Sequence, residues 1–332
     1  MNIGLFTSVY FNNIGNGFID LGAEATLKNA IPEGGQIIKV SQCANFAASM
    51  GKGMVIKELP FVHWMWTNIM QRFAKKVHDK TYKIIAQENV FSVADFVKLD
   101  YFILPGCILT VPFFTIFGKL LEKKVQEGTK LIFLGASGNF YTEYEINFVS
   151  EYLKKLAPYA IMTRDSIAFK YYSKFGKFSY NGIDNAFFVN LWNIPKVKTE
   201  MENYVVLNFD EPKHKNIKEE LEKKFKNIVY TNHKPYPYLS VSKLVKKGVM
   251  VSDTPLDYLL LYANVSEVHS DRVHACIPTL AFGNKAQLYS DSPRIALFEN
   301  VGIKEIKKRP VKIEGLKEKQ EQQIEFLKSI LK

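Results

Sequence analysis

Short apolar runs alternate with amphipathic stretches along almost the whole chain, and no other feature constrains the fold as strongly. In the first half the apolar runs fall at residues 3–8, 36–40, 101–104, 131–134 and 160–162, which predicts strands there. Helical periodicity falls at 21–29, 67–78, 114–126, 145–156 and 166–174. In the second half, strands are predicted at 204–209, 227–230, 249–251, 267–270 and 286–289, with helices at 217–225, 255–263, 274–282 and 292–300. A strand followed by a helix, repeated many times, predicts an α/β fold with parallel sheets covered on both faces. The rhythm stops between Asp184 and Asn203, where the chain lacks periodicity and carries Pro195. Domains are therefore expected over 1–190 and 200–305. The tail, 306–332, has leucine and isoleucine at helical spacing and should pack as an amphipathic helix on one of them. Two such units leave a cleft at the carboxyl ends of their strands, the usual ligand site of open α/β sheets.

Composition narrows the function. A chain of 332 residues, 47% hydrophobic and 23% charged, can bury substantial cores and is not disordered. Cys43, Cys107 and Cys276 lie far apart, which argues against a disulfide scaffold or a cysteine zinc site and fits a reducing cytoplasmic setting. No metal is called for. The first residues lack the basic and apolar regions of a signal peptide. Residues 101–117 are apolar and uncharged, but Pro105-Gly106 and Pro112 divide them, so a buried strand, a turn and a helix are expected rather than a membrane span. The formal charge is +11, carried mostly by lysines that alternate with glutamates on helix faces. Such an excess favours anionic substrates or peripheral contact with an anionic membrane surface. No nucleic-acid-binding motif accompanies it.

Five places carry candidate chemistry. Asn13, Gly15 and Asn16 belong to a glycine-rich turn after the first strand, where backbone N–H groups at a helix start suit an anion; a simple helix cap is the plainer reading. Gly106, after Leu104-Pro105, and the stretch Gly135-Ala-Ser-Gly-Asn139 put small residues at the mouth of the first sheet. Arg164 stands directly after a strand in Thr163-Arg-Asp-Ser166. The chain has only five arginines, so one so placed marks a position where a planar fork of donors is useful. Ser270-Asp-Arg272-Val-His274 ends a strand and opens a helix. Arg272 and His274 could both address an anion there, and the histidine could also transfer a proton.

These stretches resemble the polysaccharide pyruvyltransferase family. Ser270-Asp-Arg-Val-His-Ala is similar to its S-R-L-H motif, Asn13-Ile-Gly-Asn16 to its N-x-G-D, and Thr163-Arg-Asp-Ser166 to its R-D-x-x-S. Pro105-Gly106-Cys107 falls at its glycine triplet and Asp184-Asn-Ala-Phe at its D-x-A-F. Asn16 replaces an aspartate, one glycine of the triplet remains, and Asp271 is an extra residue, so the chain resembles a divergent member. The resemblance implies two Rossmann-like domains facing a cleft, similar to GT-B glycosyltransferases. It implies transfer of a pyruvyl group from phosphoenolpyruvate to two hydroxyls of a sugar or lipid-linked glycan, forming a ketal, with no cofactor. Under it, Arg272 and His274 would bind the donor and His274 would move the proton. Ser270 and Arg164 would support them, and Asn13, Gly15, Asn16, Gly106 and Asp184 would line the cleft or meet the acceptor. A glycosyltransferase with a nucleotide-sugar donor, or a non-catalytic glycan- or anion-binding protein, would use the same cleft.

Overall fold

A computed structural model describes residues 1–7, 13–42, 92–233 and 244–332. Cys43, the helix expected at 67–78 and the last residue of the strand expected at 3–8 lie outside the described residues. The first unit is a six-stranded parallel sheet in the order β2-β1-β3-β4-β5-β6. Its strands are β1 (Asn2–Thr7), β2 (Gln36–Ser41), β3 (Tyr101–Pro105), β4 (Lys130–Ala136), β5 (Ala160–Thr163) and β6 (Phe178–Asn181). Its helices are α1 (Ile14–Ala30), α2 (Val93–Phe96), α3 (Val111–Gln126), α4 (Glu143–Leu156) and α5 (Ser166–Tyr172). Alternate residues of the strands feed opposite faces. Phe102 and Leu104 pack with Phe113, Phe114, Leu121 and Leu153 from α3 and α4. Tyr101 and Ile103 pack on the other side with Ala23 and Leu27 of α1.

The second unit is a five-stranded parallel sheet in the order β11-β10-β7-β8-β9. It comprises β7 (Val205–Asn208), β8 (Ile228–Thr231), β9 (Val249–Met250), β10 (Glu267–Ser270) and β11 (Lys285–Leu288). Helices α6 (Lys215–Lys224), α7 (Pro255–Asn264) and α8 (Val273–Ala281) flank it. Leu221 of α6 covers one face, while Tyr258, Tyr262 and Ile277 of α7 and α8 cover the other. The tail forms α9 (Leu316–Ile330), which returns to the first sheet and buries Leu327 and Ile330 beside Tyr101 and Ile132. Tyr101 and Tyr159 donate their hydroxyls to the carbonyl of Ile330 at the end of this helix.

Four local expectations need correction. Helix α1 begins at Ile14 and not at Leu21, because Asn13 caps it by accepting from the Gly15 N–H at 3.1 Å. Gly15, Asn16 and Gly17 are thus the first helical turn rather than a loop. Strand β6 was hidden because only alternate residues of Phe178–Asn181 are partly buried, leaving no apolar run. The aperiodic boundary holds a 3-10 helix, Asn185–Leu191, with five consecutive buried residues from Asn185 to Val189. It packs on α1 so closely that a Cβ at Gly22 would lie 1.7 Å from the Asn185 carbonyl oxygen. Residues 293–298 also form a 3-10 helix, not the α-helix expected at 292–300.

Candidate active site

Each sheet reverses its winding direction once. In the first sheet this happens between β1 and β3, and in the second between β7 and β10. Asn13 precedes α1, Gly106 follows β3, Asn208 ends β7 just before Asp210, and Ser270 ends β10 just before Arg272 and the first residues of α8, Val273 and His274. Such switch points are where ligands bind in open α/β sheets, and here the switch points of the two sheets face each other across the contact of Arg272 with Asn13. The amino ends of α1 and α8 touch there. A Cβ on Gly15 would stand 2.9 Å from the Cβ of His274, so the glycine is what permits that approach.

Arg272 caps α8 from the extended region. Its Nη2 donates to Asn13 Oδ1 at 3.3 Å and its Nε lies 3.3 Å from Asp210 Oδ2. The guanidinium thus bridges the two units and is oriented by a carboxylate and an amide. Ser270 does not face outward. Its hydroxyl donates to Asn208 Oδ1 at 3.1 Å and accepts from the Arg272 N–H at 2.8 Å, setting the loop that presents Arg272. Asp271 has a structural duty as well, since its carboxylate accepts from the N–H groups of Asp210 and Glu211.

Arg164 and Asp184 form a buried ion pair beneath His274, both almost without exposure at 1% and 0%. Arg164 also donates from Nε to Ser137 Oγ at 2.8 Å. Asp184 Oδ1 caps the 3-10 helix by accepting from the Ala186 N–H at 2.8 Å. Burial would raise the Asp184 carboxyl, but Arg164, His274 and the Ala186 N–H together hold it well below the usual carboxylate range. The Nε2 of His274 stands 3.6 Å from Asp184 Oδ2, an electrostatic contact too long for a hydrogen bond. Burial lowers the pKa of His274; Asp184 opposes this, and Arg164 and Arg294 add to it. The imidazole is therefore neutral near pH 7.

Arg164 and Asp184 thus underlie the site, and neither lines an open cleft. Gly106 is buried too. It adopts φ +88°, and a Cβ there would press Ile19 of α1 at 3.2 Å. Asn16 donates its N–H to the Asn13 carbonyl as part of the first turn. The loop after β4 has spent its donors, because Glu145 Oε1 accepts from the N–H groups of Asn139, Phe140 and Tyr141.

Sequence reasoning missed Asp210 and His233. His233 is buried after β8, with its Nε2 2.6 Å from the Tyr262 hydroxyl and its N–H donating to Asp210 Oδ1 at 3.1 Å. Burial, with Arg272 and His274 nearby, drives its pKa well down. The signal available was position alone, a polar residue just past a predicted strand. Among the described residues, Glu211, His214 and Asp271 bring metal-type ligand atoms within 4.8 Å of one another. Asp271 is already committed to two backbone N–H groups, and Glu211 pairs with Lys213 at 2.9 Å.

The family model for polysaccharide pyruvyl transferase matches residues 59–284. That span includes Arg164, Asp184, Ser270, Arg272 and His274 and begins after the Asn13–Asn16 turn. No curated protein matches the sequence. Among solved structures, the fold is similar to a Methanocaldococcus jannaschii UDP-GlcNAc 2-epimerase in complex with UDP-GlcNAc and UDP. The two share 12% identity over 99% of this chain and 93% of that one, with a TM-score of 0.52. It is also similar to Staphylococcus aureus MnaA with UDP, at 11% identity, 99% and 90% coverage and a TM-score of 0.52. The UDP-GlcNAc 2-epimerase of Neisseria meningitidis gives 12%, 100% and 94%, and 0.50. At these identities the likeness is one of fold, the GT-B-like pairing of two α/β units.

Proposed function

We propose, from the premise that the chain belongs to the polysaccharide pyruvyl transferase family of glycan-modifying transferases, that it moves a pyruvyl group from phosphoenolpyruvate to two hydroxyls of a sugar. The observation that carries the reading is Arg272, held between Asp210 and Asn13, next to a neutral His274 where two helix amino ends meet. The donor presents a carboxylate and a phosphate, and a pre-oriented guanidinium is suited to either. In the reaction the terminal enol carbon gains a proton and positive charge develops on the carbon beside it. One hydroxyl attacks that carbon, phosphate leaves, and the second hydroxyl closes the ketal. Of the two protons lost by the hydroxyls, one balances the new methyl group and the other leaves with phosphate. A neutral imidazole can receive a hydroxyl proton in this sequence, a role typically worth ~10²–10⁴-fold.

The acceptor in this reading is a glycan or a lipid-linked glycan precursor, met in the cytoplasm at the inner membrane face. The basic charge supports that setting. Among the described residues no helix is long and apolar enough to cross a membrane.

The test is thermal stability with phosphoenolpyruvate, phosphate and nucleotide sugars, for the wild type and Arg272→Ala. A ligand at 100 times its Kd stabilises by about 2.7 kcal/mol, a readable shift. A shift with phosphoenolpyruvate that vanishes in Arg272→Ala is expected. A shift with a nucleotide sugar alone would replace this reading with a glycosyltransferase.

A further inference from the structure

The buried stripe of α9 runs Leu316, Gln320, Gln323, Leu327 and Ile330. Two glutamines occupy positions where an amphipathic helix would normally put leucine. Burying an amide costs free energy unless it is hydrogen-bonded, so their partners matter. Gln323 Oε1 accepts from the Ile183 N–H at 2.8 Å, and its Nε2 reaches the Ile183 carbonyl at 3.5 Å. Gln320 Nε2 donates to the Phe187 carbonyl at 2.6 Å and to Asn190 Oδ1 at 2.7 Å. All four contacts land on the segment that joins the two sheets, and Ile183 immediately precedes Asp184. The chain also makes room for the clamp, since a Cβ on Gly182 would sit 2.1 Å from Gln323 Oε1.

We infer that α9 is a positioning element of the site: Gln323 fixes the Ile183–Asp184 backbone and thereby the carboxylate that Arg164 and His274 share. Gln320 holds the other end of the same segment. On one side Gly182 is tied by its N–H to the Thr163 carbonyl and by its carbonyl to Asn300 Nδ2, and on the other the Asp184 carbonyl accepts from the Phe187 N–H; between them, Gln323 binds both backbone groups of Ile183. The link from a C-terminal helix to a carboxylate far away in sequence passes through one side-chain amide. The inference rests on the proposed function only in treating His274 as part of the working site, and its test needs no substrate.

The readout is the titration of His274 in the full chain, followed by NMR of histidine-labelled protein with His274→Ala for assignment. Groups facing this imidazole among the described residues are Asp184, Arg164 and Arg294, with His233 and Arg272 close behind it. Gln323→Met removes both hydrogen bonds at nearly constant length. Gly182→Ala displaces the same amide from the opposite side and leaves α9 intact. Leu327→Ala, on the same buried face of the same helix, makes no polar contact with the segment and serves as the control. Letting the carboxylate drift from 3.6 Å to about 5 Å weakens its hold on the imidazolium by an amount that shifts the His274 midpoint down by ~0.5–1 pH unit. Both Gln323→Met and Gly182→Ala are expected to show that fall, and Leu327→Ala to keep the wild-type midpoint. If Gln323→Met proves too unstable to titrate, Gly182→Ala against the control decides alone. A midpoint unchanged in the variants that fold, or shifted equally in the control, overturns the inference. A pyruvyltransferase reading that failed its ligand test would leave this result standing.

Discussion

Replacing Arg164 with methionine strips the positive partner from a carboxylate that has no access to water. Both side chains are essentially unexposed, so solvent does not screen the change. Removing one member of a buried pair typically costs ~3–5 kcal/mol, because the remaining charge is left without compensation. Asp184 keeps the Ala186 N–H and the contact with His274, which places the expected loss toward the lower end of that range. In the wild type the carboxyl lies below its ordinary value. Its contribution is present above the unfolded carboxylate range and is lost only as pH falls through the depressed folded value, outside the pH 5–8 window. In Arg164→Met, burial, already the largest single influence on the carboxyl, loses its strongest opponent and the carboxyl is expected to rise above its ordinary value, while His274 loses a repelling neighbour. Both changes make the folded state bind a proton on acidification. The stability penalty should therefore be full at pH 8 and shrink toward pH 5. Urea unfolding at several pH values measures this directly. The double variant Arg164→Met with Asp184→Asn should recover more than half of the loss, since it removes the orphaned charge and retains the cap. A loss under ~1 kcal/mol at pH 7.5, or no recovery in the double variant, would refute the argument.

Two further outcomes follow from the same geometry. Gly15→Ala gains up to ~1 kcal/mol in helix propensity but forces a Cβ against His274, a strain of ~1–3 kcal/mol. The balance predicts a protein no more stable than wild type, with a weakened thermal response to phosphoenolpyruvate; a clear rise in Tm would show that the helix ends are not in contact. His233 and His274 are both buried with pKa values below the usual imidazole range, so the folded state binds fewer protons than the unfolded one. Stability should then fall as pH drops below about 6.5, and His233→Gln should flatten that slope; an unaltered slope in chemical denaturation would assign the acid sensitivity elsewhere.

Strands and helices were legible wherever one local property decided them. The central strands β3 and β4 are apolar on both faces and announce themselves, and β10 was read at its full extent, Glu267–Ser270. The edge strand β6 was not legible, because half of its residues face water. Nor was the 3-10 helix at Asn185–Leu191, whose shape follows from packing against Gly22 and from the Gln320 clamp. For the site, the sequence marked Arg272 and His274 through their position at a strand end and helix start. It could not show that Arg164 and Asp184 pair beneath them, or that Ser270 points inward, because those facts depend on strand order in two sheets. Asp210 and His233 were invisible for the same reason. Each follows a strand that looks like any other, and only the switch point between β7 and β10 gives the first of them its significance.

The net charge of the chain says less about the ligand than the pairing within the site does. A surface excess of +11 is spread mainly over lysines, and at physiological salt its field fades over about 8 Å. It can steer an anion toward the molecule without choosing one. Inside, Arg272 is matched by Asp210 and Arg164 by Asp184, and burial favours the neutral form of His233 and His274. Among the described arginines near the site, Arg294 is the one without a carboxylate partner, and its charge is felt at His274. The paired arginines supply fixed geometry more than net attraction. In the proposed reading, a donor with two anionic groups would meet the oriented fork of Arg272 and draw further favourable field from Arg294, from the amino end of α8 and from any proton it brings to His274. Because a bound anion favours the charged imidazole, binding and protonation at His274 assist each other by the same free energy in either order. Burial thus favours the neutral imidazole, and an anion beside it makes that imidazole a better acceptor for the hydroxyl proton of the proposed reaction.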